Sequence, residues 1–255
     1  QLRQYGIQIP ILVFYPQIES FKEIILHNLE PVLYSKRSWK EFVHQVQSQK
    51  KSAYPIHIKY NTGLNRIGFM PQEVEWVIDE LKNYHFEVKT IYTHLAQTES
   101  PKPDLETEQQ ISLFKEIMKK HSESVKQRQD YHLLNTSGVF NYPAYHLDWV
   151  RVGIGLYGFA NHPQWNESLQ PIAQLKTKII QIHDIKLGET VGYNSGWKAS
   201  KNTRIAILPI GHADGFSRQY GNGKGWVLIN GIKAPVVGNV CMDMVLVEID
   251  EINCS

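Results

Sequence analysis

The chain has 255 residues, 42% of them hydrophobic, and a formal net charge of +2 at pH 7. A chain of this length buries one large core, or a large and a small one, and its near-balanced charge leaves no basic stripe for a nucleic-acid partner. Two cysteines exclude a disulfide framework, the eleven histidines are scattered without metal-ligand spacing, and no apolar run approaches the ~20 residues of a membrane helix.

A cytoplasmic protein with no nucleic-acid, membrane or metal partner is therefore expected. Structure starts almost at once after Gln1, with no methionine, which is the pattern of an excised piece. The first 160 residues alternate short β-rich runs with helical patterns. The runs are Pro10–Tyr15, Pro31–Tyr34, His57–Tyr60, Thr90–His94, His132–Leu134 and Trp149–Gly153.

Apolar spacing of three and four residues predicts helices over Ser38–Gln49, Gln72–Tyr84 and Glu106–Arg128. Ser38 with Glu41 reads as a capping box for the first, and Pro71 opens the second. Strand–helix alternation of this kind implies a parallel sheet, either doubly wound or closed into a barrel. A closed (β/α)8 barrel needs about two more units than are visible, so an α/β barrel lacking its first two units is expected over residues 1–160.

After Tyr157-Gly158 the polar stretch "FANHPQWNESLQP" reads as a linker. Five β-type runs follow: Ile172–Ile182, Arg204–Leu208, Gly225–Ile229, Ala234–Val237 and Met244–Ile249. Turns such as "KLGE" and "INGIK" separate them. A mostly antiparallel β domain over residues 161–255 is expected.

Four clusters put polar groups at the C-terminal ends of the predicted strands, where barrel enzymes carry their sites. They are Lys59 and Arg66 in "HIKYNTGLNRIGF", His94 in "IYTHLAQTES", Asn135, Thr136 and Ser137 in "LLNTSG", and Arg151 to Ile154 in "VRVGIGLYG". With two strands absent, the last visible strands are the seventh and eighth, whose loops form the usual phosphate site of such barrels. The hydroxyls of Thr136 and Ser137 and the backbone at Gly153 and Ile154 thus predict a phosphate-bearing ligand.

Together with "VGYN", "RIAILPIGHADGFSR" and "VVGNVCMDM", these motifs resemble, in order, those of bacterial alanine racemases. The resemblance implies a pyridoxal 5'-phosphate enzyme that interconverts L- and D-alanine for peptidoglycan synthesis. It also implies a head-to-tail homodimer, one subunit's barrel meeting the partner's β domain. Position by position, Arg66 would reach the cofactor's phenolic oxygen and the substrate carboxylate, a task suited to its planar fork of donors. His94 would pack on the pyridine ring, Arg151 would face the ring nitrogen, and Asn135, Thr136, Gly153 and Ile154 would serve the phosphate. Lys59 matches a lysine that many members carry carbamylated. The Met242 amide would meet the substrate carboxylate.

Several positions depart from the family pattern. No lysine of this chain lies in the Lys-Ala-Asn/Asp-Ala-Tyr-Gly stretch that carries the cofactor-linking lysine, and no tyrosine near the C-terminus matches the one that gates the entrance. Asn61 and Glu99 stand where aspartates are usual. His212 aligns with the usual catalytic tyrosine. Imidazole, with an ordinary pKa near ~6.5 against ~10 for a phenol, needs less activation to accept a proton at neutral pH.

A racemase, or a piece of one, is thus the leading expectation, with His212, Arg66 and His94 as its catalytic residues. The ligase-fused branch of the family has a similar "GHADG" and "GNVCMDM". The alternatives are a non-catalytic cofactor-binding barrel module and a degenerate racemase-like remnant.

Overall fold

A computed structural model describes residues 1–254. The chain forms two compact units, Gln1–Ala173 and from Gln174 onward. In the first, β1 (Leu12–Val13), α1 (Phe21–Leu26), β2 (Glu30–Leu33), α2 (Lys36–Ser48) and β3 (Pro55–Lys59) are followed by α3 (Val74–Asn83), β4 (Glu87–Tyr92), α4 (Leu105–Ser124), β5 (Asp130–His132) and α5 (Thr136–Asn141). The strands pair in chain order and all in parallel. The expected alternation of strand and helix is present, and the pairings are those of an open sheet with β1 and β5 at its edges.

The sixth expected strand, Trp149–Gly153, does not form. The amides of Asp148 and Trp149 both donate to Tyr131 O, at 3.1 and 3.3 Å, and Arg151 N–H donates to Leu134 O at 3.1 Å. Two donors converging on one carbonyl track β5 without building a ladder. Helix starts also differ from expectation. Ser35, extended after β2, caps α2: its hydroxyl accepts from Ser38 N–H, and Ser38 Oγ accepts from Ser35 N–H. Ser38 is therefore the third residue of the helix and not its cap. Asp104, whose carboxylate accepts from Thr107 N–H at 2.8 Å, opens α4 one residue early.

The two faces of the parallel sheet differ. Leu33, Ile56, Ile58, Val88 and Ile91 pack with Phe21, Trp39, Phe42 and Phe114 into a helix-covered core. Each such side chain, fully buried, stabilises the fold by about 1.5–3 kcal/mol. The other face carries Val32, His57, Lys59, Thr90, Tyr92 and His132, all buried but mostly polar. Strict alternation would put Val88 and Thr90 on the same face. A register shift, in which Ile56 faces Val88 but the next residue, His57, faces Thr90, makes Lys89 an extra residue. This bulge sends Val88 into the apolar core and Thr90 to the polar face.

In the second unit, β6 (Gln181–Ile185), β7 (Thr190–Val191), β8 (Trp197–Lys198), β9 (Thr203–Leu208), β10 (Trp226–Ile229), β11 (Ile232–Val237) and β12 (Val245–Glu248) follow one another. Five form an antiparallel sheet in the order β10-β11-β12-β9-β6, and β7 pairs with β8. Asn230 and Gly231, at φ 50° and 81°, make the two-residue turn between β10 and β11, the backbone such a tight hairpin requires. The run expected from Ile172 becomes a strand only at Gln181.

Candidate active site

Because all five strands of the first unit are parallel, their C-terminal ends share one edge, and the polar clusters predicted from the sequence arrive there together. Lys59 is the last residue of β3 and is 4% exposed. Its Nζ lies 5.8 Å from the Tyr92 ring centroid. Burial first, then the Arg66 and Arg151 charges, push its pKa down to about 8. Arg66 sits on the exposed loop after β3, with no hydrogen bond from its guanidinium among the described residues, and joins the cluster through its field. Asn61 organises that loop: its Oδ1 accepts from Gly63 N–H and Asn65 N–H, which an aspartate could equally do.

His94 follows β4. Its pKa falls to about 4, through burial and then the charges of Arg151, Arg66 and Lys59, so its ring is neutral at pH 7. Arg151 is the most connected group. Nη1 donates to His132 Nδ1, and Nη2 faces Thr93 O, Leu133 O and His94 Nδ1 at 2.9, 3.0 and 3.3 Å. Its Nε–H has no partner among the described residues. Tyr92 lies beneath it, ring centroid 5.0 Å from the guanidinium carbon.

Asn135 caps α5, its Oδ1 accepting from Gly138 N–H at 3.0 Å and from the Thr98 hydroxyl at 2.8 Å. Its role is therefore to shape the loop. Thr136 Oγ1 accepts from Gly153 N–H and Gly155 N–H at 3.0 and 3.4 Å, so its own O–H remains free to donate. A Cβ built on Gly153 would meet nothing within 4 Å. A hydroxyl proton, an open glycine backbone and the Ile154 amide, which has no partner among the described residues, suit a phosphate. Uncommitted Arg151 Nε–H suits a ring nitrogen acceptor, so the residues present fit pyridoxal phosphate.

In the second unit, His212 and Met242 line one pocket of about 390 Å³ with Tyr193 and Arg218. His212 N–H donates to Cys241 O at 3.0 Å and Ala213 N–H to Met242 O at 2.9 Å, joining the two turns. A Cβ on Gly211 would fall 2.3 Å from Met242 O, so only glycine permits this approach. Arg218 Nη2 donates to His212 Nε2 at 2.9 Å, which leaves the ring proton on Nδ1. Met242 N–H has no partner among the described residues.

Sequence reasoning missed Tyr92, His132 and Arg218. The first was accessible in principle, since Tyr92 lies two residues before His94 in the same β-rich run.

Comparison with known proteins shows the family of both units. The family description "Alanine racemase, N-terminal domain" matches residues 1–161, and "Alanine racemase, C-terminal domain" matches residues 172–255. The alanine racemase of Carboxydothermus hydrogenoformans is 34% identical over 256 residues, spanning 98% of this chain and 68% of that protein. The solved alanine racemase of Clostridium difficile 630 superposes with a TM-score of 0.88 at 30% identity, covering 100% of this chain and 67% of that one. The Bartonella henselae enzyme, described with covalently bound pyridoxal phosphate, shares the fold at TM-score 0.80 and 24% identity, over 100% of this chain and 70% of that one. The chain spans about two thirds of the length of these relatives, and it belongs to the alanine racemase family.

Proposed function

We propose that this protein interconverts L- and D-alanine with pyridoxal 5'-phosphate as cofactor. The single observation that carries the reading is the edge cluster, where an uncommitted Arg151 Nε–H, a neutral His94 and a free Thr136 hydroxyl lie at adjoining strand ends. When bound, pyridoxal phosphate supplies the electron sink that makes the α-proton of an amino acid removable.

The chain's own residues account for the rest. Thr136, Gly153 and Ile154 would hold the phosphate, within the loop that Asn135 shapes. Arg151 would hold the ring nitrogen. A guanidinium keeps its protons, so it donates a hydrogen bond there without transferring a proton, which moderates the sink and disfavours side reactions such as transamination. His94, neutral, would pack on the ring without adding charge. Arg66, unpaired and exposed, would bind the substrate carboxylate, and the free Met242 amide would meet the same group. His212 would move the α-proton on one face, Nδ1–H and Nε2 being its two exchangeable sites. Lys59 as a carbamate would turn a cation that repels Arg66 into an anion that holds it.

The two clusters would act together by way of a head-to-tail homodimer, with the second unit of a partner serving the first unit of its neighbour. D-alanine made in the cytoplasm would supply peptidoglycan synthesis, and the free thiols of Cys241 and Cys254 suit that compartment.

The test is incubation of the intact protein and pyridoxal phosphate with L-alanine in D2O. D-alanine carrying deuterium at Cα is expected, along with saturable cofactor binding that is weakened at least about tenfold by Arg151→Ala, on the scale of one charge-assisted hydrogen bond. Cofactor binding without exchange would instead favour a non-catalytic module.

A further inference from the structure

Four neighbouring strands place a row of polar groups on the buried polar face, and the row leads to Arg151, the one group of the series that the proposed chemistry uses. Glu30 on β2 lies with Oε2 2.9 Å from His57 Nε2 on β3. His57 Nδ1 is 2.7 Å from the hydroxyl of Thr90 on β4. The same hydroxyl is 2.9 Å from His132 Nε2 on β5, and His132 Nδ1 meets Arg151 Nη1. His57, Thr90 and His132 are all 2% exposed or less.

The proton positions follow from chemistry. A guanidinium only donates, so His132 Nδ1 is the bare nitrogen and its proton sits on Nε2. That proton is donated to Thr90 Oγ1. The threonine has one proton, which it gives to His57 Nδ1. His57 then carries its own proton on Nε2 and donates it to the Glu30 carboxylate. Each link has one donor, and all run from the guanidinium toward the carboxylate.

The electrostatics give this chain a purpose. Arg151 stands among cations, Lys59 and Arg66, and its own hydrogen-bond partners are carbonyls and ring nitrogens with no carboxylate. Glu30 is the carboxylate tied to it, through His57, Thr90 and His132. Hydrogen bonds aligned in one direction polarise one another, each strengthening the next.

We propose that Glu30, His57 and Thr90 are positioning residues that, through His132, hold the Arg151 guanidinium in one orientation and one hydrogen-bond polarity. The consequence for catalysis rests on the reading that Arg151 meets the cofactor ring nitrogen; the relay itself does not.

The experiment uses the intact protein labelled with 15N-histidine, read by NMR, and titrated with pyridoxal phosphate. Glu30→Gln keeps shape and an acceptor oxygen but removes the charge. It is expected to shift the ring signals of His132 as well as those of His57, although Glu30 touches only His57. Thr90→Val should abolish that long-range response, and Thr90→Ser should restore it. Cofactor affinity should fall about tenfold in Glu30→Gln and Thr90→Val, the scale of one hydrogen bond, and recover in Thr90→Ser. His132 signals unmoved by Glu30→Gln, or a His132 protonated on Nδ1, would overturn the relay. Signals that respond while cofactor affinity stays unchanged would support the relay and overturn the cofactor role of Arg151.

Discussion

The rings of Tyr92 and His132 stack with centroids 4.6 Å apart and planes within 7° of parallel, and the Arg151 guanidinium lies over the same tyrosine. Tyr92 is thus the floor that fixes both partners of the hydrogen bond between Arg151 and His132. Ring stacking contributes about 0.5–1.5 kcal/mol and a desolvated cation–π contact about 2 kcal/mol. Tyr92→Leu should therefore destabilise the fold by about 2–4 kcal/mol in urea unfolding. Tyr92→Phe, which keeps the ring, should stay within about 1 kcal/mol of the parent.

Lys59 gives a pH dependence of known sign. Its pKa is about 8 in the folded chain against the ordinary 10.5. Between those values the unfolded chain holds a proton that the folded chain lacks, so stability rises with pH over that window. Below pH 8 the folded protein carries the full cost of an ammonium buried beside two guanidiniums. Lys59→Met should flatten the rise in Tm between pH 8 and 10 relative to the parent. With 13C-bicarbonate, a carbamate signal should be present in the parent and absent in the variant, the amine nitrogen bonding to CO2 carbon as one proton leaves.

The acid limb has the opposite origin. His121, fully buried on α4, has Nε2 2.7 Å from the Tyr60 hydroxyl, while Nδ1 has no partner among the described residues. Burial lowers its pKa to about 4, and those of His94 and His132 to about 4 and about 2. Below the ordinary pKa of 6.5 the unfolded chain takes up protons that these rings refuse, and stability falls by about 1.4 kcal/mol per pH unit for each such group. His121→Phe should cost about 1–3 kcal/mol at pH 7, by stranding the Tyr60 hydroxyl, yet lose stability less steeply from pH 6.5 to 4.5. Urea midpoints at the two pH values measure both effects.

What could be read from the sequence, and what could not, follows from the range of the interactions. Lys59, His94 and Thr136 each sit where a strand pattern ends, and parallel strands must bring such ends to one edge, so their grouping was legible; Arg151 was expected inside a sixth strand, and it joins them instead on a segment held to β5 by its amide's hydrogen bond to Leu134 O. The relay of Glu30, His57, Thr90 and His132 was not. It depends on the bulge at Lys89, which turns Thr90 to the polar face, and nothing local in "EVKTIY" marks an extra residue. The start of α2 was misplaced for a related reason: Ser35 and Ser38 both suit a cap, and only the extended backbone at Ser35 decides between them. The approach of His212 to Met242 left one trace, a glycine at position 211 pressed on a carbonyl thirty-one residues away.

Thr136 separates phosphate binding from the rest of the ligand. Its Oγ1 accepts two amides and keeps its proton for an anion. Thr136→Val preserves shape and removes both functions, at a stability cost of about 1 kcal/mol because Gly153 is exposed and water can reach its amide. Affinity for pyridoxal phosphate should fall about tenfold while affinity for pyridoxal, which lacks the phosphate, stays level. Equal losses for both would place Thr136 elsewhere in the site.

His212 stands where the resemblance to the family implies a tyrosine, and it permits a sharp test. Arg218 donates to Nε2, so the imidazole cannot use that nitrogen as a base until the guanidinium moves or is drawn to a carboxylate. A group serving one face of the substrate should matter unequally for the two enantiomers. In the intact protein, His212→Ala should reduce deuterium wash-in from one alanine enantiomer by about 10²–10⁴-fold, the usual worth of a general base, and leave the other far less affected. His212→Tyr should recover exchange if the role is proton transfer. Equal losses for both enantiomers in His212→Ala would place the histidine outside proton transfer.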